Sequence, residues 1–339
     1  MIEYEKAGCP EFTTLRAANG NYYHQMGNYR LYLGETQLLP VNRSYVADRN
    51  GDRNCRYESG SYRKDPLIHE RVDNSFSIVS PEQLVQVYGK PYLYLVDNQN
   101  VHFLSSSSYQ DERVSIHAKD VLDITQSALG QEGLEYKLGI FGSHRVGLEG
   151  VDSDIDLVMW TDFASREILI DLVSKGLHQY GYLSSGEQGK DVKYAAKYSR
   201  RFDVSDLAGW YLAKKRNRFV DPQGVSVSLQ CLNTDYDYNV VGNFFEVANS
   251  DWSQEEVDME CEIIDSQASY NFPKYWYLDI GAERIPAVSL SWMHQGMGDD
   301  SGEQFGRRYR LRAAMLRTEK GKIAYLRDSN HYIIPQSLL

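Results

Sequence analysis

The sequence predicts an α+β protein, with a core of mixed sheet and helices at about residues 109–235 between β-rich domains at 1–108 and 236–339. Three observations predict it. Both ends are crowded with short segments in which Tyr, Val, Ile and Leu alternate with polar residues at the two-residue period of strands. Between them, apolar residues at helical spacing take turns with short apolar runs, the mark of helices and buried strands in succession. Four consecutive serines, Ser105–Ser108, and the polar residues after them read as the linker between first domain and core.

Taken in order, Tyr29–Leu33, Tyr92–Val96 and Val101–Leu104 read as strands of the first domain, and Asp48–Asn54 as a turn rich in Asp, Asn and Gly. The core opens on a helix in which Val114, Val121, Leu122, Thr125 and Leu129 share a face and Gly130 makes the stop. Leu138–Phe141 and Asp154–Trp160 read as buried strands, Phe163–Leu177 and Asp206–Arg218 as helices, and Val225–Leu232 as an alternating strand. In the last domain Phe244–Val247, Tyr275–Leu278, Arg308–Leu316 and Ile323–Arg327 read as strands, and 295–302 as the most flexible-looking loop. At 339 residues the chain exceeds the ~250 at which single cores stop growing.

A hydrophobic content of 42% with 24% charged residues is that of a globular protein, and no run approaches the ~18 apolar residues of a membrane span. Met1–Glu5 lacks the basic start and apolar stretch of a signal peptide, so the expected location is the cytoplasm. Cys9, Cys55, Cys231 and Cys261 are spread singly, which predicts thiols rather than a zinc site. The net charge of -11 argues against a general coat for nucleic acid and leaves room for a local basic patch. The 26 tyrosines suit half-buried strands, with base stacking as the alternative.

The chemistry sits in Leu138–Val158. Gly142 follows an apolar strand, where a residue without Cβ permits a sharp turn and a close approach to phosphate. Ser143 can cap the next helical turn and offer its hydroxyl and amide to an anion. After ten intervening residues come Asp154 and Asp156, which strand alternation puts on one face about 6 to 7 Å apart, with Ile155 and Leu157 facing the core. Two carboxylates so close call for a neutralising cation, and Mg²⁺ (or Mn²⁺) suits an oxygen donor set completed by substrate phosphates. His144 and Arg145 could touch a triphosphate or belong to a solvated loop.

This stretch resembles the nucleotidyltransferase superfamily of DNA polymerase β, whose hallmark is a Gly-Ser turn followed by Asp-x-Asp on the next strand. The resemblance is close over 138–158 and extends by element order to about 112–235. It implies a polymerase-β-like core that holds the triphosphate of an NTP at Gly142 and Ser143 and binds metal at Asp154 and Asp156. Nucleotidyl transfer to an acceptor hydroxyl, with release of pyrophosphate, would follow. The β, core, β layout is also similar to that of multidomain nucleotidyltransferase proteins of archaea and bacteria.

Active members add a third carboxylate from a later strand, which helps activate the attacking hydroxyl. Here the polar face of Val225–Leu232 carries Ser226, Ser228 and Gln230, and no acid. Asp203 is a further candidate, although the Ser205-Asp206 helix start beside it suggests a capping role. With Gln230 or Ser228 in third place, the site would bind metal and nucleotide yet transfer slowly or not at all. Lys214–Arg218 suits the negative end of a helix, with phosphate contact as the alternative. Residues 307–327 carry eight Lys or Arg against Glu319, and Arg308, Arg310 and Arg312 would form a basic stripe along one strand face. That stripe either tracks a phosphate backbone, which would make RNA the acceptor, or balances acidic charge elsewhere.

Overall fold

The computed structural model describes residues 3–6, 12–27, 29–33, 35–57, 59–64, 82–87, 90–97, 101–104, 114–130, 133–150, 152–184, 192, 195–196, 199–200, 217–235, 253–289, 294–297, 307–318, 321–326 and 330–339. The chain divides into two compact units, one made of 1–189 and 216–232, the other of 190–215 and 233–339. It is an α+β protein rich in strands. No helix among the described residues is long and apolar enough to cross a membrane.

The first unit starts with ten paired strands: β1 (Glu3–Lys6), β2 (Thr14–Ala17), β3 (Tyr22–Gln25), β4 (Tyr29–Leu33), β5 (Thr36–Ala47), β6 (Arg53–Asn54), β7 (Ser61–Lys64), β8 (Glu82–Val87), β9 (Lys90–Asp97) and β10 (Val101–Leu104). β5 is the hub, because its length lets the first half pair with β4 and β9 and the second with β3 and β7. Tyr22, Tyr23, Tyr45 and Tyr62 are buried strand residues, so at these positions tyrosine serves as core.

A five-stranded sheet follows, with order β11 (Tyr136–Phe141), β12 (Ile155–Thr161), β15 (Ser226–Asn233), β14 (Arg218–Val220), β13 (Leu183–Ser184). Its helices are α1 (Ile116–Leu129), α2 (Ser143–Val146) and α3 (Phe163–Gln179). The Ser115 hydroxyl caps α1 by accepting from the Ala118 N–H, and Asp162 caps α3 by accepting from that of Ser165. Val121, Leu122 and Leu129 of α1 meet Leu169, Ile170, Val173 and Leu177 of α3 in one core with Ile140, Leu157 and Leu229 of the sheet. The helices touch at Gly176, where an added Cβ would lie 2.3 Å from the Ala128 Cβ. Gly176→Ala is therefore expected to cost about 1–3 kcal/mol by overpacking, beyond the roughly 1 kcal/mol that helix propensity returns. An unchanged urea midpoint would refute this.

Most of the helix expected at 206–218 lies outside the described residues, but its end does not. Asn217 is in a turn and Arg218 opens β14. The Ser105–Ser108 linker, Asp203 and the strand expected at 244–247 also lie outside.

The second unit contains β16 (Ser253–Asp265), β17 (Lys274–Ile280), β18 (Glu283–Ser289), β19 (Arg308–Thr318), β20 (Gly321–Leu326) and β21 (Tyr332–Pro335). They run β16-β17-β18-β20-β19-β21, and β16 also pairs with β19, so five strands close into a ring and lose their edges. The β18–β20 pairing is parallel, the others antiparallel, and Trp276, Leu278, Leu311, Ala313 and Ile333 belong to the core. The loop expected at 295–302 is not loose where it is described. Gln295 and Met297 are buried, and the Met297 carbonyl accepts from Trp276 Nε1 at 2.5 Å.

Candidate functional site

The β11–β12 register sets Phe141 opposite Asp156, so the residue after Phe141 must turn directly over the Asp156 carboxylate. Gly142 does this at φ 76, ψ -159, and a Cβ there would come within 2.7 Å of Asp156 Oδ2. Glycine is thus required twice, for the backbone conformation and for the space that the carboxylate occupies. Gly142 itself is the cap of the single-turn α2, and Ser143 is its first residue. Asp154 precedes β12 and Asp156 lies within it, both half-buried. Burial pushes the Asp156 pKa up to about 6; the Asp154 charge adds to this, while a hydrogen bond from Ser228, then Arg218 and Lys64, hold it down.

Ser228 Oγ donates to Asp156 Oδ1 at 2.7 Å. On β15, to which the family resemblance assigns a third carboxylate, a hydroxyl therefore faces Asp156. Gln230 is buried on the same strand. No group of three or more His, Cys, Asp or Glu that could hold a metal occurs among the described residues. Two carboxylates and one hydroxyl are nonetheless an all-oxygen set, and Mg²⁺ commonly takes one or two carboxylates and fills its remaining positions with phosphate and water. The half-buried, mutually repelling pair fits such a cation.

His144 and Arg145 are not in a solvated loop, being 6% and 1% exposed. His144 Nε2 faces the Ser153 carbonyl at 3.4 Å, so it is the donor there and Nδ1 accepts from the Ser115 hydroxyl at 2.7 Å. The ring ties the start of α1 to both ends of the motif loop. Burial lowers the pKa of this ring to about 4, which keeps it neutral near pH 7; His24, buried beside Phe141 with ring centroids 5.6 Å apart, is likewise lowered to about 4.

In the unfolded chain both histidines protonate near 6.5, so stability is complete above that pH and falls as pH drops from 6.5 towards 4. Each contributes up to about 3 kcal/mol. Asp156 and Glu149, whose folded pKa values are raised by burial, act in the opposite sense, while Asp162, lowered by its hydrogen bonds from Ser165, acts with the two histidines. The urea midpoint is expected to fall between pH 7 and 4.5, and His24→Asn/His144→Asn to flatten the fall. A midpoint that holds or rises on acidification would overturn the assignment.

The motif loop is also gripped by the amino-terminal sheet, which the sequence reading does not anticipate. Tyr45 of β5 hydrogen bonds to the Ser143 side chain, and its pKa is pushed up to about 12 by burial. Arg53 of β6 donates from Nη1 to the Leu148 carbonyl at 3.0 Å and to Ser153 Oγ at 2.7 Å. The Arg56 N–H donates to the Gly147 carbonyl, and Arg56 pairs with Glu149. Gly147, at φ 70, lies under the Tyr57 ring, 2.5 Å from where its Cβ would be. Phe12 packs against Phe141, with ring centroids 4.7 Å apart and the planes tilted by 40°.

The basic stripe lies in the second unit. The β16–β19 register sets Arg308 opposite Glu262, Arg310 opposite Glu260 and Arg312 opposite Asp258. Arg310 Nε donates to Asp258 Oδ1 at 2.7 Å, and Arg317 pairs with Glu255 at 3.0 Å. Each arginine of the stripe thus has an acid across from it, the arrangement of a charge-balanced face.

Comparison with protein-family models, curated proteins and solved structures gives no match to this chain.

Proposed function

We propose that the first unit contains a polymerase-β-like nucleotidyltransferase core. It holds a nucleoside triphosphate through Mg²⁺ (or Mn²⁺) at Asp154 and Asp156 and transfers the nucleotidyl group to an acceptor hydroxyl, releasing pyrophosphate. The observation that carries this reading is the seat of Gly142 over Asp156, which joins the Gly-Ser turn and the aspartate pair into one site. When bound, the cation would neutralise the aspartate pair and the charge developing on the phosphoryl group. The chain's own part is positioning. Gly142 and Ser143 offer the turn beside the carboxylates, and Ser228 orients Asp156. His144 holds the loop at its two ends.

Ser228 also favours a second reading. With a hydroxyl in place of a third carboxylate, the site has no described base for the acceptor hydroxyl, which suits a protein that holds the metal–nucleotide and transfers slowly. Incubation with each α-labelled NTP and Mg²⁺ or Mn²⁺, with and without total RNA or cell extract, separates the two. Label transfer that disappears in Asp154→Ala/Asp156→Ala is the result expected of the enzyme. Metal-dependent NTP binding without transfer indicates the second reading, and no binding at all refutes both.

A further inference from the structure

The aspartate pair and a cation between them account for each other's charge, which leaves the triphosphate's own negative charge uncompensated. The two residues of the Gly-Ser turn bring no positive side chain, and the basic residues next to them have other work. His144 is neutral and hydrogen-bonded to Ser115, and Arg145 is enclosed in the core. The cations that would compensate the phosphates must come from elsewhere in the unit.

The strand registers identify two. Tyr45, whose phenol reaches Ser143, is the cross-strand partner of Lys64 on β7, so both side chains leave the same face of the amino-terminal sheet, the face turned to the motif. Arg218 of β14 is the cross-strand partner of Ser228, whose hydroxyl reaches Asp156, so it shares that face of the central sheet. Lys64 is exposed and Arg218 half-buried. Two cations on two different sheets thus each share a face with a side chain that touches the motif. Neither belongs to the motif, and one comes from a domain that the motif does not include.

We propose that the amino-terminal sheet forms part of the nucleotide site, with Lys64, together with Arg218, binding the terminal phosphates of a metal–nucleoside triphosphate held at Asp154 and Asp156. This rests on the function proposed above and extends it to the phosphate contacts. An ammonium on an exposed strand end suits phosphate oxygens as a point charge, and a guanidinium beside Ser228 can take two oxygens at once.

The test is the affinity of the full chain for ATP, GTP, CTP and UTP with Mg²⁺, and for AMP, by titration calorimetry. Lys64→Met and Arg218→Met are expected each to raise the dissociation constant of the preferred triphosphate about tenfold. AMP binding should change less than twofold, and Lys64→Arg should restore most of the triphosphate affinity. Arg63→Met is the control, since Arg63 alternates to the other face of β7 and pairs with Asp48. If the unaltered protein binds triphosphate, and loses it in Asp154→Ala/Asp156→Ala, while Lys64→Met and Arg218→Met bind as well as wild type, this inference fails and the proposed function stands. If the unaltered protein binds no metal–triphosphate, both fail together. An equal loss of AMP and triphosphate in Lys64→Met would also overturn the inference, because it would indicate damage to the fold rather than a lost phosphate contact.

Discussion

Ser228→Asp is expected to raise the rate of metal-dependent nucleotidyl transfer by about a hundredfold, the low end of what a positioned acid–base group supplies. Ser228 already touches Asp156 at 2.7 Å, so a carboxylate grown from the same backbone position enters the same space. In a site that already holds two half-buried acids, the third would repel them when no cation is present. The variant should therefore melt lower than wild type in EDTA and regain the difference in Mn²⁺. Label transfer from α-labelled NTP and paired melting curves read out the two effects. A variant equally stable with and without Mn²⁺, and no faster, would show that position 228 is not the third place of the site.

Gly142→Ala is expected to lower stability by about 3 kcal/mol and to weaken metal–nucleotide binding more than tenfold. Two costs add up. A side chain at φ 76, ψ -159 is strained by about 1–3 kcal/mol wherever it occurs. The new Cβ would also meet Asp156 Oδ2 at 2.7 Å, so either the turn or the carboxylate must shift. A double-mutant cycle separates the two. With Asp156→Ala the nearest atom is gone and the remaining Cβ lies at an ordinary 3.6 Å, leaving only the backbone strain. Gly142→Ala should accordingly cost less in that background. Equal costs in both backgrounds would mean that the approach to Asp156 has no energetic weight.

The parts of the fold legible in the sequence are those set by neighbours along the chain. The Val101–Leu104 strand coincides with β10, and Leu138–Phe141, Asp154–Trp160 and Phe163–Leu177 lie within a residue or two of β11, β12 and α3. Their alternation and their caps are local signals. Within the site, the turn at Gly142 and the shared face of Asp154 and Asp156 were local signals, whereas their union in one site was implied only by the resemblance. Tyr45, Arg53 and Lys64 gave none, because what brings them to the motif is tertiary: Arg53 and Ser153 are 100 positions apart. Arg218 stood in the run whose alternative reading was phosphate contact, but its place in the fold was misread. A run of five charged or polar residues suggested the end of a helix, whereas Asn217 turns the chain, donating to the Leu229 carbonyl, and Arg218 begins a strand. The acids facing the arginine stripe could have been found, since Glu256, Asp258, Glu260 and Glu262 alternate with Val257, Met259 and Cys261 along β16. Reading one strand's charge without its pairing partner's gave half the balance.

The division of the chain into two units also governs how the protein can be cut or recombined. Residues 190–215 belong to the second unit yet fall between β13 and β14 of the first, so the backbone passes from one unit to the other three times. No single peptide-bond cleavage in these connections yields either unit as one complete fragment. For the same reason, neither unit can be inherited or transplanted as one uninterrupted stretch of gene. Exchanging 233–339 alone would leave behind the excursion that completes that unit, and its return leads directly into Arg218.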